Sequence, residues 1–462
     1  MPLILGTNSI KDTGYDVANS LRFDDGSSDS LQRTPSSSGN RRTWTFSTWF
    51  KRGNIGSSQW ILDAYGGSSD EFHIYISSGN AIGIYTIGGG FGSNLSISTS
   101  NLVRDCGAWY HLVVRCDTTQ GTASNRLRIY LNGVEASYGT YNNFTENGEG
   151  QVNEASTIHY LGRRNAGDYF DGYFAETVLV DGSSLAPTSF GEFDEDTGIW
   201  KPIDVSELTF GTNGFYLDFE DSSALGNDAA GSNNFSVNNL TAIDQTVDTC
   251  TNNFCTMNPL YPDGTITFSE GNLKLTQGSS WRSAGGTMAV STGKWFWEVS
   301  NVGNYAYIGF ADIQLFNEGC SIRESFTTGA ATTGRAHSVL NSDGRHYQVT
   351  SGGAQSSEYP SGATFPTFTN SIISIALNLD DNNFIFYKDG TAMNPSGTPI
   401  SITAGTYIPA VSIYGNNVSY NFGSPPYSES GGNSDGNGYG NFSMAVPSGY
   451  YALNTKNLAE YG

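Results

Sequence analysis

A stretch of twenty residues, 371–390, constrains the fold more than any other part of the chain. Its sequence is SIISIALNLDDNNFIFYKDG. Apolar residues occupy every second position from Ile373 to Leu379, which is the period of a strand with one buried face. Asp381-Asn382-Asn383 breaks the pattern, Phe384–Tyr387 resumes it, and Asp389-Gly390 is a hairpin turn. The stretch therefore predicts strand, turn, strand, turn, and leaves no room for a helix.

A second copy of this device lies far upstream in Arg126–Val134, with the sequence RLRIYLNGV. Its apolar residues share one face, and Asn132-Gly133 supplies the turn. The chain is rich in residues that suit short strands and tight turns, with 57 Gly, 26 Tyr and 26 Phe among 462 residues. We therefore predict an all-β protein with two antiparallel β-sandwich domains of the jelly-roll type, joined by an irregular connector.

The acidic charge of the chain argues against some classes of partner. Lys and Arg number 22 against 44 Asp and Glu, which gives a formal net charge of −22. Such a surface repels phosphate backbones, so we expect no nucleic-acid partner. The apolar runs are shorter than the roughly 18 residues of a membrane span, and the first residues lack the basic flank of a secretory signal. We expect neither membrane insertion nor a signal peptide.

The cysteines and histidines indicate no cofactor. The five cysteines do not form a disulfide framework, because their number is odd and the chain is long. Cys250 and Cys255 are close enough in sequence to pair, and free thiols in a reducing compartment are the other interpretation. The five histidines are scattered and no CxxC motif occurs, so nothing in the sequence indicates a structural metal site.

A regular series of short strand-like segments runs from residue 21 to residue 203. Thr43–Phe50 has large aromatic residues on both faces, as in a strand that is covered on both sides. The pieces that follow in order are WILDAYG, WYHLVVR, RIYLNGVE, HYLGRR and DGYFAETVLVDG. Together they resemble the laminin-G/concanavalin-A-like jelly-roll family. The resemblance implies two packed antiparallel sheets and the binding of carbohydrate or protein.

A second resemblance covers residues 263–424. The pieces that carry it are GKWFWEV, YIGFAD, ISIALNLDDNNFIFYKDG, YIPAVS and NFGSPPY. They are similar to the SPRY (B30.2-like) β-sandwich, which implies a sandwich that presents loops to a partner without catalysis. Residues 204–262 are predicted to be a connector with one or two strands. Residues 425–462 are predicted to be a tail that docks back on the body, with a mobile loop at Ser428–Gly440.

The opening MPLILGTNSI, the ending PSGYYALNTKNL and the pairing of the two modules resemble virion fibre or spike proteins of tailed bacteriophages. The resemblance implies a protein made in the host cytoplasm, located on the tail or capsid surface, and assembled as a homo-oligomer, with a trimer the expectation. Residues 1–20 are interpreted as an N-terminal arm, which is either a first edge strand with a loop or an attachment to other virion proteins. The implied function is recognition of a host surface glycan or outer-membrane protein by non-catalytic binding. The alternatives are a structural decoration or fibre subunit without an external ligand, and a glycan depolymerase.

The best candidate for a catalytic segment is the acidic stretch Glu192–Asp196, EFDED. Concanavalin-A-like glycoside hydrolases carry a Glu-x-Asp-x-Glu strand whose alternate carboxylates act on one face. Here Asp196 takes the third place with a shorter side chain, and nearby glycines predict a solvated loop. We therefore predict no enzymatic activity. Carboxylate-rich loops suit calcium, so this stretch, or Asp168 with Asp171, is where a calcium ion would be sought.

Ligand contacts are expected from aromatic residues that lie close to Asn or Asp in loops. A sugar ring stacks on an aromatic face, while amides and carboxylates bind its hydroxyls. With 26 Tyr in the chain, we expect most tyrosines to serve the core or its rim. The candidates in the first module are Tyr65 with Asp70, Tyr138 with Tyr141, and Tyr169; those in the second module are Tyr305, Tyr359 and Tyr414 with Asn416.

Overall fold

A computed structural model of the chain describes residues 12–92, 94–262, 265–300, 303, 305–317, 335–342, 346–349, 355–356 and 368–462. The chain divides between Thr251 and Asn252. We call 13–251 the first unit and 252–462 the second unit. Almost all of the regular structure consists of antiparallel strands, which confirms the all-β prediction; the described α-helices are α1 (Ile313–Asn317) and α2 (Thr455–Tyr461). Neither of these helices has the length or apolarity needed to cross a membrane.

Two sheets form the sandwich of the first unit. Its strands are β1 (Ser20–Phe23), β2 (Ser30–Arg33), β3 (Thr43–Arg52), β4 (Gln59–Gly67), β5 (Asp70–Ile76), β6 (Ala81–Ile87), β7 (Ser96–Leu102), β8 (Trp109–Asp117), β9 (Leu127–Leu131), β10 (Val134–Glu135), β11 (Tyr138–Tyr141), β12 (Ile158–Leu161), β13 (Gly172–Asp181), β14 (Gly191–Phe193), β15 (Trp200–Pro202), β16 (Phe215–Leu217), β17 (Ser236–Asn238) and β18 (Gln245–Thr246). The first sheet has the order β10-β9-β8-β3-β13-β1-β18, with β16 also paired to β13. The second sheet has the order β11-β7-β6-β5-β4-β12-β2-β17, and β14 and β15 form a separate hairpin.

Strand β3 is covered on both of its faces, as its aromatic residues predict. Trp44 and Phe50 join the core that lies between the two sheets. Trp49 points the other way and stacks on His111 with ring centroids 4.6 Å apart. Trp200, from the β14–β15 hairpin, donates its indole N–H to the His111 Nδ1 at 2.9 Å. The outer side of the first sheet is therefore packed against further chain.

The segment predicted as a connector, 204–262, belongs largely to the sandwich of the first unit. β16 pairs with β13, β17 with β2 and β18 with β1. Phe235 and Leu240 lie in the core between the sheets. The first unit therefore extends to Thr251, beyond the predicted boundary at 203, because strands of two or three residues are too short to show a period in the sequence.

Part of the predicted N-terminal arm also belongs to the first unit. Residues 1–11 lie outside the described residues. Val17 is buried, and its N–H donates to the Thr251 hydroxyl at 3.0 Å. Ser20 begins β1, and its hydroxyl lies 2.8 Å from that of Thr246. The arm is therefore tied into the sandwich from this point onward.

The second unit is also built from two sheets. Its strands are β19 (Met257–Pro262), β20 (Thr267–Ser269), β21 (Lys274–Gln277), β22 (Arg282–Gly286), β23 (Lys294–Ser300), β24 (Tyr305–Asp312), β25 (Ala336–Leu340), β26 (His346–Val349), β27 (Gln355–Ser356), β28 (Ile373–Asn378), β29 (Asn383–Lys388), β30 (Thr391–Ala392), β31 (Ile400–Ser401), β32 (Tyr407–Tyr414), β33 (Asn416–Asn421) and β34 (Tyr451–Ala452). In the described residues one sheet has the order β19-β22-β32-β24-β25-β26-β27. The other has the order β20-β21-β33-β23-β28-β29-β30, with β31 paired to β29 and β34 to β23.

The hairpin predicted within 371–390 is confirmed. β28 and β29 pair in register from Ile373 opposite Lys388 to Asn378 opposite Asn383. Asp389 and Gly390 then have φ values of 48° and 78°, the left-handed backbone that a two-residue turn requires.

The C-terminal tail packs on the second unit through β34, which runs parallel to β23. The stretch Ser428–Gly440, predicted as a mobile loop, contains the buried Asp435. The Asp435 carboxylate accepts the Ala452 N–H at 3.0 Å and the Asn457 side-chain amide at 2.8 Å. These hydrogen bonds anchor the stretch instead of leaving it loose.

The sequence left open whether Cys250 and Cys255 form a disulfide, and the described cysteines do not support that pairing. Cys106, Cys116 and Cys250 carry free thiols. No disulfide therefore joins Cys250 to Cys255 within the part of the chain that the structure describes.

Candidate functional site

The second sheet of the first unit carries polar and aromatic side chains on the face that points away from the core. They form rows, because residues on paired strands lie opposite one another. The central row spans five neighbouring strands, from β6 to β2. Its members lie opposite one another in the order Tyr85, His73, Asp63, Tyr160 and Gln32. On each strand, the residue next to the member of the row points into the core, because side chains alternate along a strand.

Two further rows flank the central one. On one side, Trp60 of β4 lies opposite Tyr75 of β5, which lies opposite Gly83 of β6. On the other side, Tyr65 of β4 lies opposite Glu71 of β5. We call the surface formed by these three rows the outer face.

A bulge in β4 brings Trp60 and Asp63 to the outer face together. Pairing with β5 is regular at Trp60 and again at Leu62, so that Ile61 is the extra residue. Ile61 and Leu62 both lie in the core. Strict alternation would place Trp60 and Asp63 on opposite faces, and sequence periodicity alone therefore misses this pair.

Aromatic rings stack along one side of the outer face. The Trp60 and Tyr75 rings are 5.2 Å apart and inclined by only 18°. A Cβ atom on Gly83 would lie 2.5 Å from the Tyr75 ring, so the glycine leaves room for that ring to lie over β6. The Tyr85 and His73 rings are parallel within 2°, with centroids 6.2 Å apart. Trp60, Tyr75 and Tyr85 are half-buried and leave part of each ring at the surface, whereas His73 is buried.

A buried charge network lies among these rings. His73 Nδ1 is 3.1 Å from Asp63 Oδ1, and His73 Nε2 is 2.9 Å from Glu71 Oε2. The loop after β12 adds the Arg164 guanidinium, 3.7 Å from Glu71 Oε2, and the Asn165 N–H, which donates to Asp63 Oδ2 at 2.7 Å. The side chains of the two acids and the histidine are at most 7% exposed. Buried carboxylates need compensating positive charge, and the Arg164 guanidinium supplies it beside Glu71.

Asp63, Glu71 and His73 also form the group in the described chain whose ligand atoms are close enough for one metal ion, within 4.8 Å of one another. Each imidazole nitrogen faces a different carboxylate, so an ion would take one nitrogen and leave the other to a hydrogen bond. Arg164 already places a positive charge beside Glu71. Asp63 Oδ1, Glu71 Oε2 and His73 Nδ1 are buried and make no hydrogen bond in the described chain, so the arrangement fits a charge network and a metal ion alike.

Arg163 forms one edge of the outer face with two tyrosines. Its guanidinium carbon is 5.0 Å from the centroid of the Tyr160 ring and 5.1 Å from that of Tyr169. Its Nε donates to the Arg164 carbonyl at 2.9 Å and its Nη2 to the Asn165 carbonyl at 2.8 Å. The two rings and the two carbonyls hold the guanidinium in one position.

Two of the residues predicted in the first module meet at this face. Tyr65 lies opposite Ile158 of β12, two residues from Tyr160, and Tyr169 contacts the same Arg163 guanidinium that contacts Tyr160. Asp70, the predicted partner of Tyr65, lies at the start of β5 and accepts a hydrogen bond from the Gln151 side chain.

Tyr138 and Tyr141 have a packing role. Their rings are 5.0 Å apart and pack against the core. The Tyr138 hydroxyl oxygen accepts the Ile129 N–H at 3.0 Å, and the Tyr141 hydroxyl donates to the Leu127 carbonyl at 2.8 Å. Burial raises the pKa of Tyr138 to about 12. Their hydroxyls are thus engaged with the backbone of β9.

In the second unit, Tyr305 and Tyr414 lie opposite each other on β24 and β32, with ring centroids 6.1 Å apart. Trp281 packs on both, at 6.3 Å and 5.7 Å. Tyr305 is 46% exposed, so this cluster reaches the surface. Tyr359 lies outside the described residues, and of Asn416 only the backbone position at the start of β33 is described.

The acidic stretch Glu192–Asp196 enters a hairpin and is not simply the loop that was predicted. β14 pairs with β15, and Lys201 Nζ lies 3.5 Å from Glu192 Oε1 and 3.3 Å from Asp194 Oδ2. Hydrogen bonds from Thr197, followed by Lys201, lower the pKa of Asp194 to about 2. A carboxylate held in this way stays ionised and is unsuited to act as a general acid.

Asp168 and Asp171, the other residues considered for calcium, are engaged separately. Asp168 is exposed and its Oδ2 lies 3.8 Å from Arg164 Nη1. Asp171 is buried and accepts a hydrogen bond from the Asn54 side-chain amide at 2.8 Å. Burial raises the pKa of Asp171 well above its usual range.

The sequence analysis did not select several residues that the structure brings to these surfaces. The available signal was the alternation of polar and apolar residues along β5, since a strand with one polar face exposes its polar residues. The residues not selected are Trp60, Asp63, Glu71, His73, Tyr75, Tyr85, Tyr160, Arg163, Arg164 and Trp281.

Comparison with known families and structures agrees with this fold. The family described as the Concanavalin A-like lectin/glucanases superfamily matches residues 25–186, which is less than half of the chain. No curated protein matches the chain.

Three solved structures illustrate the similarity. A Bacteroides ovatus protein named for carbohydrate binding is 13% identical, with a TM-score of 0.35; the match covers 48% of this chain and 59% of that one. Domains LG4-5 of the mouse laminin alpha1 chain are 10% identical, with a TM-score of 0.32 and coverage of 89% and 90%. The SPRY domain of human HERC1 is 16% identical, with a TM-score of 0.26 and coverage of 36% and 96%.

This chain spans less than two thirds of the Bacteroides ovatus protein. The first unit has a laminin-G/concanavalin-A-like lectin fold, and SPRY domains are among the solved structures to which the chain is similar.

Proposed function

We propose that this chain is a host-recognition protein on a bacteriophage particle, of the tail fibre or spike type. In this proposal it binds a host surface glycan through the outer face of the first unit and catalyses no reaction. The observation that carries the binding proposal is the ordered set of aromatic and polar side chains on a sandwich that matches a lectin superfamily. The virion assignment, with other virion proteins and further copies of this chain as partners, rests on the resemblance of the chain's two ends and paired modules.

The chemistry of the outer face suits a sugar. Trp60 and Tyr75 stack on each other, and the Arg164 guanidinium lies over the Trp60 ring. Both rings are half-buried, so each leaves apolar surface on which the C–H groups of a sugar can pack. Gln32, at the far end of the central row, has a side-chain amide that can both donate to and accept from sugar hydroxyls. A ligand lying along the central row would therefore meet stacking surface and polar groups together.

In this proposal the carboxylates of the outer face, Asp63 and Glu71, do not hydrolyse the bound glycan. A glycosidase places two carboxyl groups beside the bond that it cleaves, and one of them gives up a proton. Asp63 and Glu71 are buried and contact opposite nitrogens of the His73 imidazole. Neither is placed to reach a glycosidic bond at the surface.

The test is the binding of fluorescently labelled full-length protein to an array of bacterial surface polysaccharides and to the bacteria that produce them. Trp60→Ala removes one stacking ring, and we expect it to weaken binding roughly tenfold. Trp281→Ala is the matched control, because it removes an aromatic ring from the surface cluster of the second unit. Thermal melting of each variant shows whether the fold is kept.

Each outcome bears on the proposal. Loss of binding with Trp281→Ala alone would move the ligand site to the second unit. Binding to no polysaccharide and to no cell would contradict the proposal and favour a structural decoration or fibre subunit. Release of reducing ends from a bound polysaccharide would show that the protein is a depolymerase.

A further inference from the structure

Arg163 differs from most basic residues of the first unit in the way its charge is compensated. Its neighbour Arg164 contacts the carboxylates of Glu71 and Asp168. In the described part of the chain, no carboxylate lies within ion-pair distance of Arg163, whose recorded partners are two backbone carbonyls and two aromatic rings. This occurs in a chain in which acidic residues outnumber basic residues by 44 to 22.

Among the N–H groups of Arg163 that donate to neither carbonyl, two lie along one edge of the guanidinium group, which we call the open edge. A guanidinium has five N–H groups, and the two carbonyls take one from Nε and one from Nη2. Both N–H groups of Nη1 and one of Nη2 remain. One N–H of Nη1 and the remaining N–H of Nη2 point in nearly parallel directions from the far end of the fork, and the other N–H of Nη1 points back along the side chain. This edge matches the two oxygens of a carboxylate or phosphate group.

The surroundings pre-organise this edge. Tyr160 and Tyr169 restrict the guanidinium between their rings, so binding costs little side-chain entropy. Tyr160 also belongs to the central row and lies opposite Asp63 and Gln32. An anionic group bound to Arg163 would therefore be attached to a sugar lying on the outer face.

We propose that Arg163 is a specificity-determining residue that selects glycans carrying an acidic sugar, with a carboxylate or phosphate group bound at its open edge. This inference rests on the proposed function and narrows its ligand class. The net charge of −22 repels anionic polymers at long range, so acceptance of such a glycan requires a local cation that is not already neutralised.

The experiment uses the full-length protein and an array on which each bacterial polysaccharide is printed in native, carboxyl-reduced and dephosphorylated form. We expect the wild type to bind an acidic polysaccharide roughly ten- to a hundredfold more tightly than the matching neutral form. The form that loses binding identifies the group as carboxylate or phosphate. Arg163→Gln should abolish this preference, and Arg163→Lys should keep only part of it, because lysine keeps the charge and loses the paired donors.

Arg115→Gln is the control variant. Arg115 lies in the first sheet, where its Nε donates to the Ser184 hydroxyl at 3.0 Å, and its removal should leave the preference unchanged. Equal binding of native and neutralised forms by the wild type, or a preference that survives in folded Arg163→Gln, would overturn the inference and leave glycan binding standing. Binding to none of the three forms of any polysaccharide would instead contradict the proposed function, and the inference with it.

Discussion

Glu176 is a carboxyl group of the first unit whose burial should make the stability of the protein depend on pH. It lies at a bulge in β13, has a φ of 46° and is buried. The Tyr216 hydroxyl lies 3.0 and 2.9 Å from its two oxygens, and the Tyr15 hydroxyl lies 3.3 Å from Oε2. Burial raises the pKa of Glu176 from 4.5 to about 8. The carboxyl group is therefore mostly protonated in the folded protein at neutral pH.

The perturbation is Glu176→Gln, which keeps the shape of the protonated acid and cannot ionise. Because the folded pKa is raised, the stability that the neutral acid contributes is complete below pH 4.5 and is lost as the pH rises through 8. The shift from 4.5 to about 8 corresponds to about 5 kcal/mol at full ionisation. We expect the two proteins to differ by less than about 1 kcal/mol at pH 5, and the variant to be more stable by about 3 to 5 kcal/mol at pH 9.

The assay is urea unfolding at pH values from 5 to 9, followed by tryptophan fluorescence. Glu195→Gln, in the exposed part of the β14–β15 hairpin, is the control and should follow the wild type at every pH. Asp218 and Glu220, which also raise the pKa of Glu176, are present in both proteins, so their own contributions to stability largely cancel in the difference. If the stability difference between Glu176→Gln and the wild type stays constant from pH 5 to pH 9, the pKa of Glu176 is not raised by folding.

Three further substitutions test other parts of the structure. His73→Gln removes the imidazole between two buried carboxylates, so we expect the free energy of unfolding in urea to fall by roughly 1 to 3 kcal/mol; an unchanged value would contradict the charge network. Gly83→Ala places a Cβ atom 2.5 Å from the Tyr75 ring and should weaken polysaccharide binding while the far-ultraviolet circular dichroism stays the same; unchanged binding would remove Tyr75 from the site. Asp435→Ala removes the acceptor of the Asn457 amide, and limited proteolysis should then cut the C-terminal tail faster than in the wild type; an equal rate would show that other contacts hold the tail.

Local patterns were enough to predict the strands that carry the core. The alternation in Thr43–Phe50 and in 371–390 reappears as β3 and as the β28–β29 hairpin. The turn at Asp389-Gly390 was also predictable, because left-handed backbone favours these residue types. The connector was placed less well, since β16, β17 and β18 are too short to show a period and are recognised only by the strands with which they pair.

The candidate site was predictable only in part. Tyr65 and Tyr169 were identified as aromatic residues near polar loops, and both lie beside Tyr160. Tyr138 and Tyr141 fit the same sequence criterion, but their hydroxyls bind the backbone of β9. Sequence proximity of aromatic and polar residues does not distinguish these cases, because the direction of a hydroxyl depends on a strand elsewhere in the chain.

By itself the sequence determined the all-β class, the two sandwiches and the main hairpins, because alternation and turn chemistry act between residues that are neighbours along the chain. Only the tertiary structure decided which outward-facing residues meet. His73, Asp63 and Tyr160 form one row because β5, β4 and β12 pair in a particular register, and the bulge at Ile61 adds Trp60 to the same face. Register and bulges follow from packing over the whole sheet, so the outer face existed as a site only once the strands had paired.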